Sequence, residues 1–440
     1  MFELSALGVE WGTYLLFGMM IVLLIMGKPL AYLTGFVAMF FAIGWFGPNV
    51  LPLLTSRIYS FVGEYTLIAV PMFVLMASLL DRTNIARDLY NAMQFFGGRI
   101  RGGVAIQTLV VAVFLAAMSG IIGGETVLLG MLALPQMLRL GYDKKLAIGT
   151  VCAGGSLGTM VPPSIVLIIY GLTANVSIGD LFTAAIIPAL MLASFYLIYI
   201  LVRCYLNPQL APSTEPMNLA DAGGIKKITL DICAPGIIIF FVLGSIYGGI
   251  ASVTEAASVG VGAVLLLAAF RRELKFSVLQ ESIVQTMRTC GMIIWIGISA
   301  SALIGVYNLM GGSRFVQGMI LGLDVSPLLI VLFMMSILIF LGMFMDWIGI
   351  ALLTMPIFVP IITGLGYDPV WFGVVFCMNM QVSFLSPPFG PAAFYLKSVA
   401  PPEISLVDIF SSLWPFIILQ LIALGLVVLN PNIALWLVNL

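Results

Sequence analysis

Two acidic residues, Glu125 and Asp346, lie inside long apolar stretches of this 440-residue chain. A carboxylate in hydrocarbon is costly to keep, so each is a candidate functional group. Three roles are open to them: binding a coupling cation, carrying a proton, or orienting a nearby turn by accepting backbone hydrogen bonds. The chain contains no histidine, which excludes imidazole metal sites and histidine proton relays. Carboxylates therefore remain the side chains that can titrate near neutral pH.

Two double prolines interrupt apolar runs, one at Pro162-Pro163 and one at Pro387-Pro388. Because proline lacks the backbone N–H donor, a helix entering either segment should unwind there. In hydrocarbon, unwound backbone persists only where protein or a polar cavity satisfies its amides and carbonyls. Breaks at matching places in two halves are typical of the binding site of a secondary transporter. The sequence therefore predicts that the substrate binds near Glu125, Pro162, Pro163, Ser164, Pro387 and Pro388.

Glycine and serine residues surround both breaks and both acidic positions. Helices that end at mid-membrane offer carbonyl oxygens to a small hard cation and amide groups to an anion. We therefore expect one cation site in each half. The first is predicted at Ser119, Gly120, Gly154, Ser156 and Thr159, and the second at Gly342, Asp346, Asn379, Ser383 and Ser386. The alternative is that these small residues only let helices pack closely, but the duplicated combination of break and hairpin favours the sites.

The composition is that of an all-α polytopic membrane protein. The chain is 62% hydrophobic and 8% charged, with a mean hydropathy of +1.17, and apolar runs of about 20 residues follow one another. The net charge of −1 gives no indication of nucleic-acid binding. Five cysteines show neither metal nor disulfide spacing. The N-terminus is acidic and lacks a basic segment, so we expect no cleavable signal peptide.

The apolar pattern predicts ten membrane crossings and two re-entrant hairpins, five crossings and one hairpin in each half. The crossings are predicted at residues 11–27, 30–47, 65–80, 146–172 and 181–202, and then at 232–248, 254–270, 289–308, 370–396 and 409–429. The hairpins are predicted at 104–138 and 327–363, because glycines and an acidic residue interrupt their centres. Residues 49–64 and 84–101 are mixed in character and predict helices lying at the membrane surface.

The two halves are copies of one another. Gly141-Tyr142-Asp143 recurs as Gly366-Tyr367-Asp368, and the two double prolines have the same separation (366 − 141 = 387 − 162 = 225). Because five crossings is an odd number, the second copy must enter the membrane upside down, which is the inverted repeat of many secondary transporters. We assign residues 1–206 to the first repeat, 207–230 to a loop and 231–440 to the second repeat.

The positive charges supply an independent test of this topology, because cytoplasmic flanks collect Lys and Arg. Of the 18 Lys and Arg residues, sixteen fall on one side of the membrane. Only Arg57 and Arg314 fall on the other. We therefore place the first side in the cytoplasm and expect both termini on the opposite, periplasmic side.

Several segments resemble the large membrane subunit of tripartite ATP-independent periplasmic (TRAP) transporters, over nearly the whole length of the chain. The most specific are Met118-Ser119-Gly120, Gly141-Tyr142-Asp143, Pro162-Pro163-Ser164, Thr254-Glu255-Ala256-Ala257, Gly342-Met343-Phe344-Met345-Asp346 and Ser386-Pro387-Pro388. Three positions depart from the common pattern. Ile121 follows Ser119-Gly120 where many relatives have a serine, Val253 replaces a frequent proline, and Asp346 stands where glutamate is common.

The resemblance implies an elevator-type transporter of the bacterial inner membrane. Its mobile transport part would be residues 104–172 and 327–398, and its scaffold would be the spans within 11–80, 181–206, 232–308 and 409–429. It also implies sodium as the coupling ion with no other cofactor. The implied partners are a small membrane subunit of about four helices and a periplasmic substrate-binding protein.

The expected function is therefore sodium-driven import of a small organic anion, a carboxylate or a sulfonate, by alternating access. Two alternatives remain. One is a stand-alone carboxylate symporter of related fold that needs no binding protein. The other is an intramembrane enzyme with Glu125 and Asp346 as an acid pair, which is disfavoured because no nucleophile or metal cluster accompanies them. We expect no enzymatic activity.

Overall fold

A computed structural model describes residues 4–97, 100–120, 123–212, 224–322 and 324–440. The middle of the predicted inter-repeat loop and Ile121 of the first hairpin lie outside the described residues. The described residues form α-helices and short 3₁₀ turns, with no strand among them. This confirms the all-α prediction.

The first half contains ten α-helices. They are α1 (Gly8–Ile25), α2 (Leu30–Phe46), α3 (Leu51–Val62), α4 (Ala69–Arg82), α5 (Ile85–Gly97), α6 (Gly103–Ser119), α7 (Gly124–Arg139), α8 (Lys144–Ser156), α9 (Ile165–Ala174) and α10 (Ile178–Leu206). Helices α6 and α7 form the predicted first hairpin. The predicted crossing at 146–172 is divided into α8 and α9 on either side of Pro162-Pro163, as expected from the double proline.

The second half follows a similar order. It comprises α11 (Ile225–Tyr247), α12 (Val253–Phe270), α13 (Phe276–Leu309), α14 (Gly312–Leu321), α15 (Pro327–Gly342), α16 (Trp347–Gly364), α17 (Pro369–Leu385), α18 (Pro391–Lys397), α19 (Leu406–Leu429) and α20 (Asn432–Leu435). One helix, α13, stands where the first half has α3 and α4. Helices α15 and α16 form the second hairpin, and α17 and α18 flank Pro387-Pro388. Helix α12 begins 223 residues after α2 (253 − 30), and α15 begins 224 residues after α6 (327 − 103).

Helix α11 begins at Ile225, inside the predicted loop 207–230 and seven residues before its predicted crossing at 232–248, and α13 differs most from its predicted bounds. Helix α13 runs from Phe276 to Leu309, whereas the sequence predicted a crossing at 289–308 only. Residues 276–288 include Gln280, Glu281 and Arg288, which lower the hydropathy, but they contain no glycine or proline that would end a helix. The short helix α14 was not predicted either.

Eight helices in the described part of the chain are long and apolar enough to cross a membrane. Seven of them, α1, α4, α10, α11, α12, α13 and α19, coincide with predicted crossings. The eighth is α16, one arm of the second hairpin. Helix α2 has 17 residues and turns by 119° into the segment that contains α3, which agrees with the predicted surface helix at 49–64.

The two halves interlock through polar contacts between their broken helices. The Tyr170 hydroxyl of α9 donates to the Pro369 carbonyl, at the start of α17, at 2.6 Å. The Gln381 amide of α17 donates to the Ser156 carbonyl of α8, beside the first break, at 3.1 Å. Ser156 and Gln381 are equivalent positions of the repeat (381 − 156 = 225). Because unpaired polar groups are expensive in an apolar interior, these bonds hold the two broken helices together.

Candidate functional site

A cavity of about 480 Å³ lies where both hairpin tips and both broken helices meet the long helices α4 and α13. Gly120 and Gly342 line it from the two hairpins, and Ile165 and Ser383 line it from the two broken helices. The opposite wall comes from the last two turns of α4 and from the first half of α13. The cavity therefore lies between the predicted hairpins and broken helices. The six residues predicted to lie near the substrate are not among those that line it: Glu125, Pro162, Pro163, Ser164, Pro387 and Pro388.

The first hairpin tip lies directly against the first break. Helix α6 ends at Gly120, which adopts a left-handed conformation with φ 56°. Its carbonyl accepts a hydrogen bond from the Ile165 amide at 3.4 Å. A Cβ atom at Gly120 would lie 2.3 Å from the Pro163 carbonyl oxygen. Glycine is therefore required here both by the backbone conformation and by the close approach of the break.

Glu125 connects the two arms of the first hairpin to the break. Its side chain is 3% exposed, and its Oε1 atom accepts a hydrogen bond from the Ser119 hydroxyl. A Cβ atom at Gly158 would lie 2.5 Å from the same Oε1 atom. The carboxylate thus occupies the space that the missing side chain of Gly158 leaves.

Two oxygens beside the first break have no hydrogen-bond partner among the described residues. They are Oε2 of Glu125 and the hydroxyl oxygen of Thr126. Thr126 lies close to α8, because a Cβ atom at Gly155 would be 2.1 Å from its hydroxyl oxygen. Buried oxygens without partners are the kind of ligand that a small hard cation takes. Thr126 was not among the predicted site residues, because its single hydroxyl on an apolar helix gave no signal in the sequence.

The remaining residues predicted for the first cation site have other neighbours. Gly154 faces the apolar side chains of Ala112, Leu109 and Leu129, so its observed role is close helix packing. The Ser156 carbonyl accepts from the Thr159 hydroxyl at 2.9 Å and from Gln381. The Thr159 carbonyl accepts from the Ser164 hydroxyl. Ser156, Thr159 and Ser164 therefore satisfy the backbone of the unwound segment.

The second hairpin is more open. Asp346 precedes α16, and its Oδ2 atom accepts a hydrogen bond from the Ile348 amide at 3.2 Å. Unlike Glu125, Asp346 is exposed and lines the cavity. Gly342, at the end of α15, lies against α17, because a Cβ atom there would be 2.3 Å from the Ser383 hydroxyl oxygen. Three residues of the predicted second site thus share one wall of the cavity: Gly342, Asp346 and Ser383.

The other two residues of that predicted site are buried beside the cavity. The Asn379 amide donates to the Met335 carbonyl at 3.0 Å, and its Oδ1 atom has no partner among the described residues. The Ser386 hydroxyl donates to the Val382 carbonyl at 2.7 Å. Pro388 is exposed just beyond them. The structure therefore places Asn379 one helical turn behind Ser383, with an oxygen available to a ligand.

The polar residues of the opposite wall were not among the predicted site residues. Asp81 and Arg82 end α4, and Gln285 and Thr289 lie four residues apart on one face of α13. Asp81-Arg82 is visible as a charged pair at the end of an apolar run, but we used it only to mark the end of that span. Gln285 lies four residues before the predicted crossing at 289–308, so the sequence provided no reason to place it beside a membrane cavity.

A family model described as "Tripartite ATP-independent periplasmic transporter, DctM component" matches residues 17–433. The chain belongs to this family. The predicted TRAP resemblance is therefore confirmed, and so is the prediction that the chain is not an enzyme. The chain is a multi-pass permease subunit of a TRAP transporter, a family in which a substrate-binding protein and a small membrane subunit accompany the large one.

Individual relatives agree with this assignment. The chain is 30% identical over 439 residues to the ectoine TRAP transporter large permease protein TeaC of Halomonas elongata, covering 97% of this chain and 99% of that protein. It is 28% identical over 397 residues to the C4-dicarboxylate TRAP transporter large permease protein DctM of Pseudomonas aeruginosa, covering 90% and 91%. The solved structure of the Alcanivorax borkumensis YdaH transporter matches 88% of each chain with a TM-score of 0.60 and 14% identity, which shows a shared fold.

Proposed function

We propose that this TRAP permease is the membrane-embedded part of a sodium-coupled importer of a small organic anion, a carboxylate or a sulfonate. The observation that carries the proposal is the cavity where both hairpin tips and both broken helices converge. The starts of α7, α9 and α16 line this cavity and offer backbone amides to an anion, and Gly120 and Gly342 at the ends of α6 and α15 offer backbone carbonyls to a cation. The transporter would lie in the bacterial inner membrane with both termini on the periplasmic side.

Sodium coupling is supported by the oxygens that lack partners on either side of this cavity. They include Oε2 of Glu125 and the hydroxyl of Thr126 in the first half, and Oδ1 of Asn379 and Oε1 of Gln381 in the second. An unsatisfied buried oxygen carries a free-energy penalty that a bound cation removes. Because these oxygens belong to hairpins and breaks, a cation bound there would hold each tip against its broken helix. Ordered tips would then complete the site for the anion.

An elevator movement is supported by a second cavity at the other end of α13. It measures about 340 Å³ and is lined by Arg57, Glu64 and Asn308. Asn308 lies 23 residues beyond Gln285 of the first cavity (308 − 285), which corresponds to about 35 Å along a helix. We propose that the transport part, residues 104–172 and 327–398, moves between these ends against a scaffold formed by the remaining spans.

The names of relatives support the substrate class and the partners. C4-dicarboxylate, isethionate, sialic acid and ectoine stand in these names, and all four substrates carry a carboxylate or sulfonate group. The isethionate TRAP transporter permease protein DctMQ is matched over 94% of this chain but over only 64% of its own length. The unmatched third leaves room for a second membrane component fused to the first. We propose that this chain binds such a component as a separate small subunit.

The decisive experiment replaces both Pro162 and Pro163 by alanine. Restoring two backbone donors lets α8 continue towards α9 and removes the unwound segment. We expect sodium-dependent uptake to be abolished in proteoliposomes that contain the small subunit and the binding protein, while membrane insertion stays intact. Unchanged uptake would overturn the site assignment. Omitting the binding protein from wild-type proteoliposomes is the second arm, and undiminished uptake there would identify a stand-alone symporter.

A further inference from the structure

The wall of the central cavity carries more negative than positive side chains, which does not suit a substrate that is only an anion. Three charged side chains line it among the described residues: Asp81, Arg82 and Asp346. Two are carboxylates. The single guanidinium also forms an ion pair with Glu281 at 2.9 Å. An anion entering this cavity would therefore meet a wall with more negative than positive charge.

Asp81 is the carboxylate on this wall that has no side-chain partner among the described residues, although it lies where the positive end of a helix dipole favours a negative charge. A Cβ atom at Gly124 would lie 3.1 Å from its Oδ2 atom, which places the carboxylate at the start of α7. No described residue donates a hydrogen bond to it or forms an ion pair with it. Asp346, by contrast, accepts a backbone hydrogen bond and belongs to a proposed cation site. A cation bound at Asp346 would leave Asp81 unpaired on the cavity wall.

Arg82 keeps donors for an acid group. Only its Nη1 atom engages Glu281, and a guanidinium carries five N–H donors in a planar fork. Its side chain is 32% exposed. The unused donors can therefore bind a carboxylate or sulfonate with two parallel hydrogen bonds.

We infer that the substrate is a zwitterion, with a cationic nitrogen that faces Asp81 and an acid group that binds Arg82. Such a molecule pairs both charges at once, whereas an anion leaves Asp81 repelling it. The cavity volume of about 480 Å³ is in the usual range for a small-molecule site. Val74, Met292 and Trp347 offer apolar surface to its carbon skeleton. This inference rests on the proposed function and narrows its substrate: the carboxylate or sulfonate is kept as the acid group, and a cationic nitrogen is added to it.

The test uses probe pairs that differ only by a charged nitrogen. The pairs are glycine betaine with 3,3-dimethylbutyrate, proline with cyclopentanecarboxylate, and 4-aminobutyrate with pentanoate. Each is added to the permease and its small subunit in lipid nanodiscs containing sodium, and thermal unfolding reports binding. We expect at least one zwitterion to raise the Tm, and its carbon analogue to bind about tenfold or more weakly, as loss of a charge-assisted contact predicts.

The variant Asp81→Asn should remove this preference, while Glu403→Gln, which changes an exposed carboxyl outside the cavity, should retain it. Equal or tighter binding of the anions, no effect of any zwitterion, or an unchanged preference in Asp81→Asn would overturn the inference. Stabilisation by sodium without any organic probe is measured alongside. If sodium did not raise the Tm, the proposed sodium coupling would be contradicted. If sodium raised the Tm but the anions bound more tightly than the zwitterions, only the inference of a zwitterionic substrate would be overturned.

Discussion

The two hairpin-and-break pairs have the same order of elements but differ in how tightly they are closed. In the first, the carboxylate of Glu125 is buried and the unwound residues 157–164 are buried with it. In the second, Asp346 is exposed and Phe389, just after the double proline, is 56% exposed. One repeat is thus closed around its acidic residue while the other opens to the cavity. Alternating access by an inverted repeat requires such a difference between its halves.

One pair of equivalent positions accounts for much of this difference. Gly158 and Ser383 are separated by the repeat step (383 − 158 = 225). At Gly158 there is no side chain, and the Glu125 carboxylate fills the space. At Ser383 the hydroxymethyl group fills it and meets Gly342. We infer that the side chain at this position controls where the acidic residue of the hairpin packs. Without a side chain, as at Gly158, the carboxylate fits against the break, and with the side chain of Ser383 the space is already filled.

The largest effect should follow from making the first break resemble the second. In Gly158→Ser, the new Cβ atom would lie 2.5 and 2.8 Å from the two carboxylate oxygens of Glu125, so the carboxylate must move. We expect loss of sodium-dependent uptake and destabilisation by about 1–3 kcal/mol, as for overpacking elsewhere. Uptake in proteoliposomes and thermal unfolding measure the two effects.

Two controls belong with that variant. Gly236→Ser adds the same atoms on α11, where nothing lies within 4 Å of the new Cβ, and it should transport like the wild type. Ser383→Gly makes the reverse exchange in the second repeat, and removing a contact should cost less than forcing one. If Gly158→Ser transported as well as Gly236→Ser, the contrast between the repeats would have no functional meaning.

A smaller effect should separate the possible roles of Glu125. Glu125→Gln keeps an acceptor for the Ser119 hydroxyl but removes the negative charge. If the carboxylate binds the coupling ion, the sodium concentration for half-maximal uptake should rise by about tenfold, the amount expected for one lost charge-assisted contact. If it only orients the hairpin tip, sodium dependence should stay unchanged. A sodium titration of initial uptake rates distinguishes the two outcomes.

Asp346→Asn is the matched change in the open repeat. Asparagine also caps helices well, so the hydrogen bond from the Ile348 amide can persist. Because Asp346 is exposed, solvent already screens its charge, and we expect a shift in sodium dependence smaller than that of Glu125→Gln. A larger shift in Asp346→Asn would reverse the assignment of the two sites.

Much of this architecture could be read from the sequence, because it depends on local chemistry. The double prolines predicted that two of the crossings are interrupted, and the glycines at the centres of two apolar segments predicted both hairpins. Two features could not be predicted. The long helix α13 begins in a polar segment that hydropathy assigns to a loop. The close approach of Glu125 to Gly158 depends on tertiary packing between residues 33 positions apart (158 − 125).

The site shows the same division. Gly120, Glu125, Gly342, Asp346 and Ser383 were predicted, and they meet at or beside the cavity. Gly154 was predicted to bind a cation because it is a glycine close to the break. Its neighbours in the folded chain are apolar side chains, which the sequence does not show. The wall formed by Asp81 and Arg82 was missed because a charged pair at the end of a span is usual in membrane proteins. Its functional position depends on which helices surround it.

The smallest effect on transport should come from removing a single hydroxyl, that of Ser119 in the first repeat or that of Ser386 in the second. Ser119 donates to a buried carboxylate, whereas the Ser386 hydroxyl only returns a hydrogen bond to the Val382 carbonyl of its own helix. Ser119→Ala should therefore lower the unfolding free energy by about 2 kcal/mol, because it leaves a buried carboxyl oxygen without its donor. Ser386→Ala should cost about 0.5 kcal/mol or less, since such bonds add little within a helix. Equal Tm shifts for the two variants would show that Glu125 draws no particular support from Ser119, and that the first repeat is closed by packing alone.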